Sequence, residues 1–335
     1  MPATANPPAP ALGRPDTAAA DTAPTAPAAA LDGSSDARSG DIRKGIAFMV
    51  LAVGLFAVMD AMVKWLGAGY PTMEIVFFRS LFAFVPLGFL IFRDGIASAV
   101  AVRDPLGHAL RCAVGIIALT VMFYGFANLP LADVIAITFA APVFVTALSV
   151  PLLGEKVGMR RWTAVLVGFV GVLIMVQPGS GVFNPVAALV LFGTVFYALA
   201  MIFVRKLART ETNTAIVFYF TLTCTLVSAA FLPFQWVTPT WPDLALLIAV
   251  GIVGGLAQIT VTLAFRYADV AVVVPFEYTA MIWAALLGFF IWGEIPGLNI
   301  WIGVTIVMAS GLYILHREAN LGLPRGIARK LQAKR

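Results

Sequence analysis

Long apolar runs, each of about 20 residues and separated by short polar breaks, follow one another along the chain from about residue 42. About 20 apolar residues in a helix cross the roughly 30 Å hydrocarbon layer of a bilayer. Because backbone polar groups in lipid must be satisfied within the protein, these runs are predicted to be helices. The predicted fold class is an all-α integral membrane protein with ten transmembrane spans, at about 44–66, 72–92, 107–128, 131–153, 160–177, 184–205, 213–235, 243–266, 270–292 and 297–316.

The apolar pattern occurs twice along the chain. Three landmark residues of the first copy recur in the second with one offset of 139 residues: Phe126, Glu155 and Trp162 become Phe265, Glu294 and Trp301. Upstream, Val63-Lys64-Trp65-Leu66 matches Val204-Arg205-Lys206-Leu207. Each copy has five spans, and because five is odd, the second copy enters the membrane upside down. We therefore predict two inverted five-helix repeats, 42–178 and 179–317, an architecture common in secondary transporters.

The whole-chain composition also belongs in a bilayer. Apolar residues make up 61% of the chain and charged residues 12%, whereas soluble domains have roughly 45–50% and about 25%. Residues 1–41 are mostly Ala, Pro, Thr, Asp and Ser, which cannot bury enough apolar surface to become ordered. We predict a disordered cytoplasmic tail there and a basic cytoplasmic tail at 318–335.

Net charge and cysteine content give no indication of a nucleic-acid partner, a metal site or a disulfide. The net charge of +5 is modest and does not indicate a nucleic-acid partner. Cys112 and Cys224 lie inside apolar runs without the spacing of a metal site or a disulfide, so we expect buried free thiols. We expect neither a metal nor a cofactor.

The placement of Lys and Arg predicts the orientation. With the N-terminus in the cytoplasm, the following basic residues all fall at cytoplasmic ends: Arg93, Arg103, Arg111, Lys156, Arg160, Arg161, Arg205, Lys206, Arg209, Arg266, Arg317, Arg325, Arg329, Lys330, Lys334 and Arg335. The loops on the other side contain no Lys or Arg. This distribution follows the positive-inside rule and predicts an inner-membrane protein with both termini in the cytoplasm.

A few charges lie toward the outer side or within spans, where an unpaired charge is costly and marks a candidate functional residue. They are Asp60, Lys64, Glu74, Arg79 and Asp133. Asp60 lies four residues before Lys64 and shares its helix face. The alternative is that these residues form salt bridges holding spans one, two and four together. For Arg79, the two roles considered are binding an anionic part of a substrate and holding Asp60 or Glu74.

Glu277 is the corresponding charge of the second repeat, in Pro275-Phe276-Glu277-Tyr278. Pro275 removes a helix hydrogen bond and is expected to loosen the backbone there. A carboxylate beside such a turn suits a proton site or an ammonium contact. The alternative is a local ion pair with Arg266.

Other polar and aromatic residues within spans complete the predicted set of substrate-binding or coupling residues: Tyr124, Asn128, Tyr197, Gln258, Tyr278 and Trp283. For the aromatic members, core packing is an equal alternative. Gly168 to Gly171 in span five and Gly303 to Gly311 in span ten provide small-residue faces, which predict close helix packing.

These features resemble the drug/metabolite transporter superfamily, EamA-type, over residues 44–316. The resemblance rests on the repeat and on Gly154-Glu155 and Gly293-Glu294, each followed by a Trp. Asp60, Lys64, Glu74 and Phe77-Phe78-Arg79, together with Phe183-Asn184-Pro185, are similar to a branch that includes S-adenosylmethionine and riboflavin transporters. Glu277 departs from that branch, in which an Arg is expected between the aromatic residues. The resemblance implies a central cavity lined by spans one, three, four, six, eight and nine.

The predicted function is a secondary transporter that moves a small organic solute by alternating access, driven by protons or by exchange. No Gly-x4-Gly-Lys-Ser/Thr motif is present, so direct use of ATP by that route is excluded. A channel or structural membrane protein is an alternative, although no continuous polar stripe is visible. An intramembrane enzyme is a weaker one, because His108 and His316 are the only histidines and form no catalytic motif. The expected partners are the solute, the lipid bilayer and, as a further candidate, a second copy of the chain.

Overall fold

A computed structural model describes residues 29–153, 159–177, 184–208, 210–268 and 270–321. All regular elements in these ranges are helices. They are α1 (Ala29–Gly67), α2 (Thr72–Asp94), α3 (Ile96–Val100), α4 (Pro105–Asn128), α5 (Leu131–Thr138), α6 (Ala141–Leu153), α7 (Met159–Val176), α8 (Pro185–Leu207), α9 (Asn213–Gln235), α10 (Trp241–Tyr267), α11 (Val270–Val273), a 3-10 helix (Val274–Thr279), α12 (Ala280–Trp292) and α13 (Leu298–Leu321).

Eight helical segments of the described chain are long and apolar enough to cross a membrane, and they coincide with the predicted spans one to four and six to nine. The predicted spans five and ten coincide with shorter apolar helices, Trp162–Val176 and Leu298–Tyr313. Helix α1 begins at Ala29, inside the stretch predicted to be disordered, where Ala29, Ala30 and Leu31 favour helix. The remainder of that predicted tail, 1–28, and residues 322–335 lie outside the described residues.

Polar side chains immediately before four of the helices determine where those helices begin. Asp104, Asn184, Thr212 and Thr240 each accept a hydrogen bond from a backbone N–H in the first turn that follows. In α4, α8 and α10 a Pro also occupies one of the first two positions, where its missing N–H costs nothing. These signals are readable in the sequence, and they explain why the predicted boundaries lie close to the observed ones.

Spans four and nine are not continuous helices. Span four is interrupted by the turn Phe139-Ala140, between α5 and α6. Pro142 follows directly, and a proline there removes one helix hydrogen bond and crowds the carbonyl four residues earlier. In span nine the backbone tightens into the 3-10 helix Val274–Thr279, which contains Pro275. A departure from α-helix was expected at Pro275, although the backbone tightens there rather than loosens. The break in span four was not predicted.

Small residues allow the helices to pack closely where no hydrophobic effect drives them together in lipid. Helices α7 and α13 lie so close that a Cβ added to Gly171 would be 2.9 Å from the Gly303 carbonyl oxygen. This contact confirms the close packing predicted for the two glycine faces. Helix α10 presents Gly251 to α2 in the same way, with the Arg79 carbonyl oxygen 2.9 Å from such a Cβ. Helices α4 and α8 also pack extensively against each other. These contacts bring Arg79 of α2 and the interior of α4 to the centre of the bundle.

Candidate functional site

The two interrupted spans meet each other. The rings of Phe139, at the turn between α5 and α6, and Tyr278, in the 3-10 helix, lie 5.0 Å apart in an edge-to-face arrangement. The same offset of 139 residues that relates the two sequence repeats relates residues 139 and 278. Equivalent interruptions in two halves of a repeat are the best sequence-level indicator of a transporter's binding site. The region around Phe139 and Tyr278 is therefore the centre of the candidate site.

A network of polar contacts, which we call the latch, joins three spans at one end of the bundle. It consists of Lys64, Glu294, the Leu129 carbonyl and the Leu131 amide. The Lys64 ammonium lies 2.6 Å from Glu294 Oε1 and donates a hydrogen bond to the Leu129 carbonyl at 2.5 Å. Glu294 Oε2 accepts one from the Leu131 N–H at 3.1 Å. The Lys64 ammonium also lies 5.3 Å from the Trp292 ring centre.

The local backbone explains how Glu294 reaches this position. Helix α12 ends at Trp292, and Gly293 follows with φ of 70°, a left-handed conformation that glycine adopts without steric cost. This turn directs the chain back, so that the Glu294 N–H donates to the Gly288 carbonyl at 3.0 Å. The Glu294 carboxylate then lies beside the break between α4 and α5. The Gly-Glu pair of the repeat therefore positions an acid against the neighbouring span.

Asp133 lies next to the latch at the start of α5. It interacts electrostatically with Lys64 and Glu294, and its buried Oδ1 has no hydrogen-bond partner within the described residues. It borders a cavity of about 290 Å³ that is also lined by Asn184 and Asn299. The fold therefore brings the predicted residues Lys64 and Asp133 near each other. Asp60 and Lys64 share a helix face, but Lys64 forms its ion pair with Glu294 and not with Asp60.

Glu74 is fully buried at the same end of the bundle. Its Oε2 accepts a hydrogen bond at 3.1 Å from the backbone N–H of Val237, in the connection between α9 and α10. Nearby, the Tyr70 hydroxyl donates to Asp243 at 2.8 Å and accepts from the Thr240 N–H at 3.3 Å. These contacts attach the connection after α9 to the start of α2. A role for Glu74 in substrate binding stays a prediction.

A second group, which we call the central cluster, lies between α1, α2, α4, α8, α9 and the 3-10 helix. Its members are Asp60, Arg79, Arg111, Tyr197, Cys224 and Glu277. Arg79 interacts electrostatically with Asp60, Cys224 and Arg111. Arg111 interacts in turn with Tyr197, and Tyr197 interacts with Glu277. These charged and polar groups therefore lie in the same region of the bundle.

Two members of the cluster are accessible. Tyr197 is 42% exposed and Glu277 is also exposed. Asp60, by contrast, is only 8% exposed.

Arg111 occupies a position that the sequence did not reveal. The positive-inside pattern predicts that Arg111 lies beside the cytoplasmic loop before span three. In the structure it lies within α4, with its guanidinium carbon 4.0 Å from the centre of the Phe220 ring on α9. The guanidinium contacts Gly115 so closely that a Cβ there would collide with it. Its position about one turn inside the predicted span three is the signal that could have identified it. Glu294 was also missed, although its duplication in the repeat marks it.

The other predicted residues lie apart from both networks or at their edges. Trp283 packs against α1, its ring atoms 3.5 Å from where a Cβ on Gly54 would be. Asn128 donates from its side chain to the Tyr124 carbonyl of its own helix at 2.8 Å, and Tyr124 is exposed. Gln258 is exposed on α10. No ion pair joins Glu277 to Arg266 among the residues that the structure describes.

The opposite end of the bundle is held by contacts around Glu211, in the connection between α8 and α9. Its Oε1 accepts hydrogen bonds from the backbone N–H groups of Arg103 at 2.6 Å and Asp104 at 2.7 Å. Thr212 donates to the Ser98 carbonyl at 2.5 Å, and His108 Nε2 lies 3.9 Å from Glu211 Oε2. Both ends of the described bundle are therefore tied across by polar contacts, and the central cluster lies between them.

Comparison with known proteins identifies the family. The model of the EamA-like transporter family matches residues 43–177 and again 184–315. The S-adenosylmethionine uptake transporter of Rickettsia prowazekii is 28% identical over 82% of this chain and 93% of its own length. The pseudopaline exporter of Pseudomonas aeruginosa is 34% identical over 80% and 95%. The riboflavin transporter of Rhizobium johnstonii is 28% identical over 82% and 91%.

The fold is also similar to a solved crystal structure, with a TM-score of 0.57 and 16% sequence identity, over 86% of this chain and 99% of that one. The family and the names of the relatives indicate a transporter of small metabolites rather than an enzyme. The chain is thus a multi-pass membrane protein that belongs to the EamA-like transporter family.

Proposed function

We propose that this chain is a secondary transporter that moves a small organic metabolite across the inner membrane by alternating access. The observation that carries the proposal is the meeting of the two interrupted spans at Phe139 and Tyr278, 5.0 Å apart and equivalent in the sequence repeat. In transporters built from repeats, such interruptions place the substrate where the two halves meet. The relatives include one named for uptake and one named for export, so the proposal covers transport in either direction.

The proposed topology has ten spans in two inverted five-helix repeats, 42–178 and 179–317, with tails at 1–41 and 318–335. The short apolar helices Trp162–Val176 and Leu298–Tyr313 are its fifth and tenth spans. The end held by Glu211 carries the loops rich in Lys and Arg, and the end held by the latch has loops without them. We therefore orient the Glu211 end and both termini toward the cytoplasm.

In this orientation the latch closes the outer side. Lys64 and Glu294 are mostly buried, with side-chain exposures of 10% and 22%. Access from outside requires α12 to separate from α1 and from the α4–α5 break, which the latch holds together. A transport cycle therefore breaks the contact between Lys64 and Glu294 and forms it again.

The driving force is proposed to be a proton gradient or exchange of solutes. Asp60, Asp133 and Glu277 are the candidate proton carriers, because each is a carboxylate within the predicted spans and next to other charged or phenolic groups. Tyr124, Asn128 and Gln258 remain predicted solute contacts. In this proposal Lys64 acts through the latch, and Glu74 holds the connection after α9 through its hydrogen bond with Val237.

Counterflow in proteoliposomes tests this function. Purified protein is reconstituted in vesicles loaded with unlabelled S-adenosylmethionine or riboflavin, and entry of the labelled compound is followed. A transporter gives saturable entry that rises when the same solute is inside. Flux that increases linearly with concentration and does not depend on the internal solute would show a channel. Flux no higher than in protein-free vesicles, for both compounds and for a wider panel of metabolites, would contradict the proposal.

A further inference from the structure

We propose that His108 is a proton-sensing residue at the Glu211 end of the bundle. When its imidazole binds a proton, it forms an ion pair with Glu211 and strengthens the attachment of the start of α4 to the connection between α8 and α9. In the orientation proposed above, acid on the cytoplasmic side therefore favours a closed cytoplasmic end. Neither the latch nor the region around Phe139 and Tyr278 takes part, so this role goes beyond the proposed transport function.

A cavity beside His108 gives protons a route to the imidazole. It has a volume of about 220 Å³ and lies between α4, α9 and the connection after α3. Its polar lining residues are His108, Cys112, Tyr219 and Thr223. A polar cavity of this size has room for several water molecules, each of which occupies about 30 Å³ in the liquid. A side chain that is otherwise buried can therefore exchange protons with water.

The imidazole of His108 is buried without a hydrogen-bond partner. His108 is 5% exposed, and neither ring nitrogen forms a hydrogen bond within the described part of the chain. Its Nε2 lies 3.9 Å from Glu211 Oε2, which is longer than a hydrogen bond but close enough to become one after a small movement. A protonated imidazole carries an N–H on both nitrogens, so Nε2 then has a proton to donate to this carboxylate.

Glu211 already holds the start of α4 and is ready to accept this donor. Its Oε1 accepts hydrogen bonds from the backbone N–H groups of Arg103 at 2.6 Å and Asp104 at 2.7 Å, and its Oε2 faces His108. Although burial acts to raise the pKa of Glu211, these N–H groups hold it below the ordinary value. The carboxylate therefore stays ionised between about pH 5 and pH 8, the interval in which histidine ordinarily changes charge.

The surroundings of His108 leave the imidazole as the group that responds to pH in this interval. The charged or titratable neighbours on α4, on the connection before it and on α9 are Arg103, Asp104, Arg111, Cys112 and Tyr219. The Tyr219 ring lies 5.1 Å from the imidazole, and its hydroxyl donates to the Val100 carbonyl at 2.9 Å. Guanidinium, carboxyl, thiol and phenol groups ordinarily titrate outside about pH 5–8.

The other repeat shows what the same place holds when packing alone decides. Offsets of 139 and 141 residues relate three cavity residues to three apolar ones: His108 to Leu247, Tyr219 to Phe78 and Thr223 to Phe82. Leu247 is fully buried, and the rings of Phe78 and Phe82 stack 6.2 Å apart in the main hydrophobic core. Because hydrocarbon serves the fold in the equivalent place, packing does not require an imidazole at position 108.

Hydrogen exchange at the two amides that bind Glu211 tests this role. The full chain in nanodiscs is exchanged at about pH 8 and at about pH 5.5, on either side of the ordinary titration of histidine. The peptide that contains Arg103 and Asp104 is followed by mass spectrometry, and its rates are corrected for the intrinsic effect of pH on exchange. In wild type we expect protection to increase about tenfold at the acidic pH, the effect of one charged hydrogen bond.

Variants assign the increase to the imidazole. His108→Leu introduces the residue of the equivalent position, and His108→Gln keeps a polar side chain that cannot gain a charge, so both should give equal protection at the two pH values. Glu211→Gln should also remove the increase. His316→Gln, which replaces the other histidine of the chain, should keep it. No increase in wild type, an increase in either His108 variant, or its loss in His316→Gln would overturn the proposal.

The exchange measurement requires no solute, so its result is independent of the counterflow assay. Protection that depends on pH and on His108, without counterflow of any solute, would support the proton sensor and contradict the transporter. Saturable counterflow by a protein whose protection does not depend on pH would support the transporter and contradict the proton sensor.

Discussion

The ammonium of Lys64 lies 2.6 Å from the carboxylate of Glu294, although the two residues are 230 positions apart in the sequence. Each partner also bonds the backbone at the same break, Lys64 to the Leu129 carbonyl and Glu294 to the Leu131 amide. The contact therefore has a direction: the donor must be on α1 and the acceptor after α12. This asymmetry distinguishes the latch from a simple attraction of opposite charges.

Reversal of the two charges should not rescue the latch. Lys64→Gln and Glu294→Gln each remove a charged hydrogen bond and are expected to cost about 1.5–3 kcal/mol in stability of the closed form and to reduce transport. The double variant Lys64→Glu/Glu294→Lys restores the ion pair but faces a carboxylate to the Leu129 carbonyl and an ammonium to the Leu131 amide. We expect no recovery in thermal unfolding or uptake for this variant, while Lys64→Arg recovers most of both. Full recovery by the reversed pair would show that charge attraction alone matters.

Glu74 should tolerate amide substitution. The amide oxygen of Glu74→Gln can still accept from the Val237 N–H, whereas Glu74→Ala leaves that N–H without its partner. We expect Glu74→Ala to lose about 1–3 kcal/mol of stability and Glu74→Gln to remain near wild type in thermal unfolding and transport. If Glu74→Gln is stably folded but inactive, the carboxylate charge of Glu74 is needed for transport instead.

A methyl group at Gly115 should act through Arg111. The added Cβ of Gly115→Ala would meet the Arg111 guanidinium and come within 2.7 Å of the Phe220 ring. Arg111 is the flexible partner and should move, so we expect transport to fall at least tenfold with the unfolding temperature nearly unchanged. Gly88→Ala in α2 is the matched control, because nothing lies within 4 Å of its added Cβ. Equal transport by the two variants would show that the position of Arg111 is unimportant.

Glu211 should make the stability of the protein sensitive to acid. Burial acts to raise its pKa, but the N–H groups of Asp104 and Arg103, with the charges of His108 and Arg103, outweigh it and hold the pKa below the ordinary value. Because the pKa of Glu211 is lowered in the folded state, its ionised carboxylate stabilises the fold at pH values above the ordinary pKa of 4.5. This stabilisation is lost as the pH falls through the pKa of the folded state. We expect Glu211→Gln to be less stable than wild type at pH 7 and to lose less stability between about pH 5 and pH 3. Parallel melting curves over that interval would contradict the role of Glu211.

Sequence reasoning predicted the helices well because apolar length, proline and capping residues act locally. It missed the turn at Phe139-Ala140 although Pro142 is its signal, because an unbroken apolar run surrounds that proline. The site was only partly predictable. Lys64 and Arg79 were recognised as charges in or near an apolar span. Glu294, after α12, and Arg111, in α4, lie near them only in the folded bundle and were not recognised. Which residues meet across a bundle depends on helix packing, which hydropathy does not encode.

The latch can be locked chemically, and this tests alternating access most directly. A carbodiimide joins an amine and a carboxylate that are already in contact, so it should link Lys64 to Glu294, which mass spectrometry of peptides would detect. Lys64→Arg keeps the ion pair but cannot form this link, and it controls for reaction at other carboxylates. We predict that treated wild-type protein loses counterflow in proportion to the linked fraction, while treated Lys64→Arg keeps its own rate. Undiminished counterflow by fully linked protein would contradict a cycle in which the latch must open.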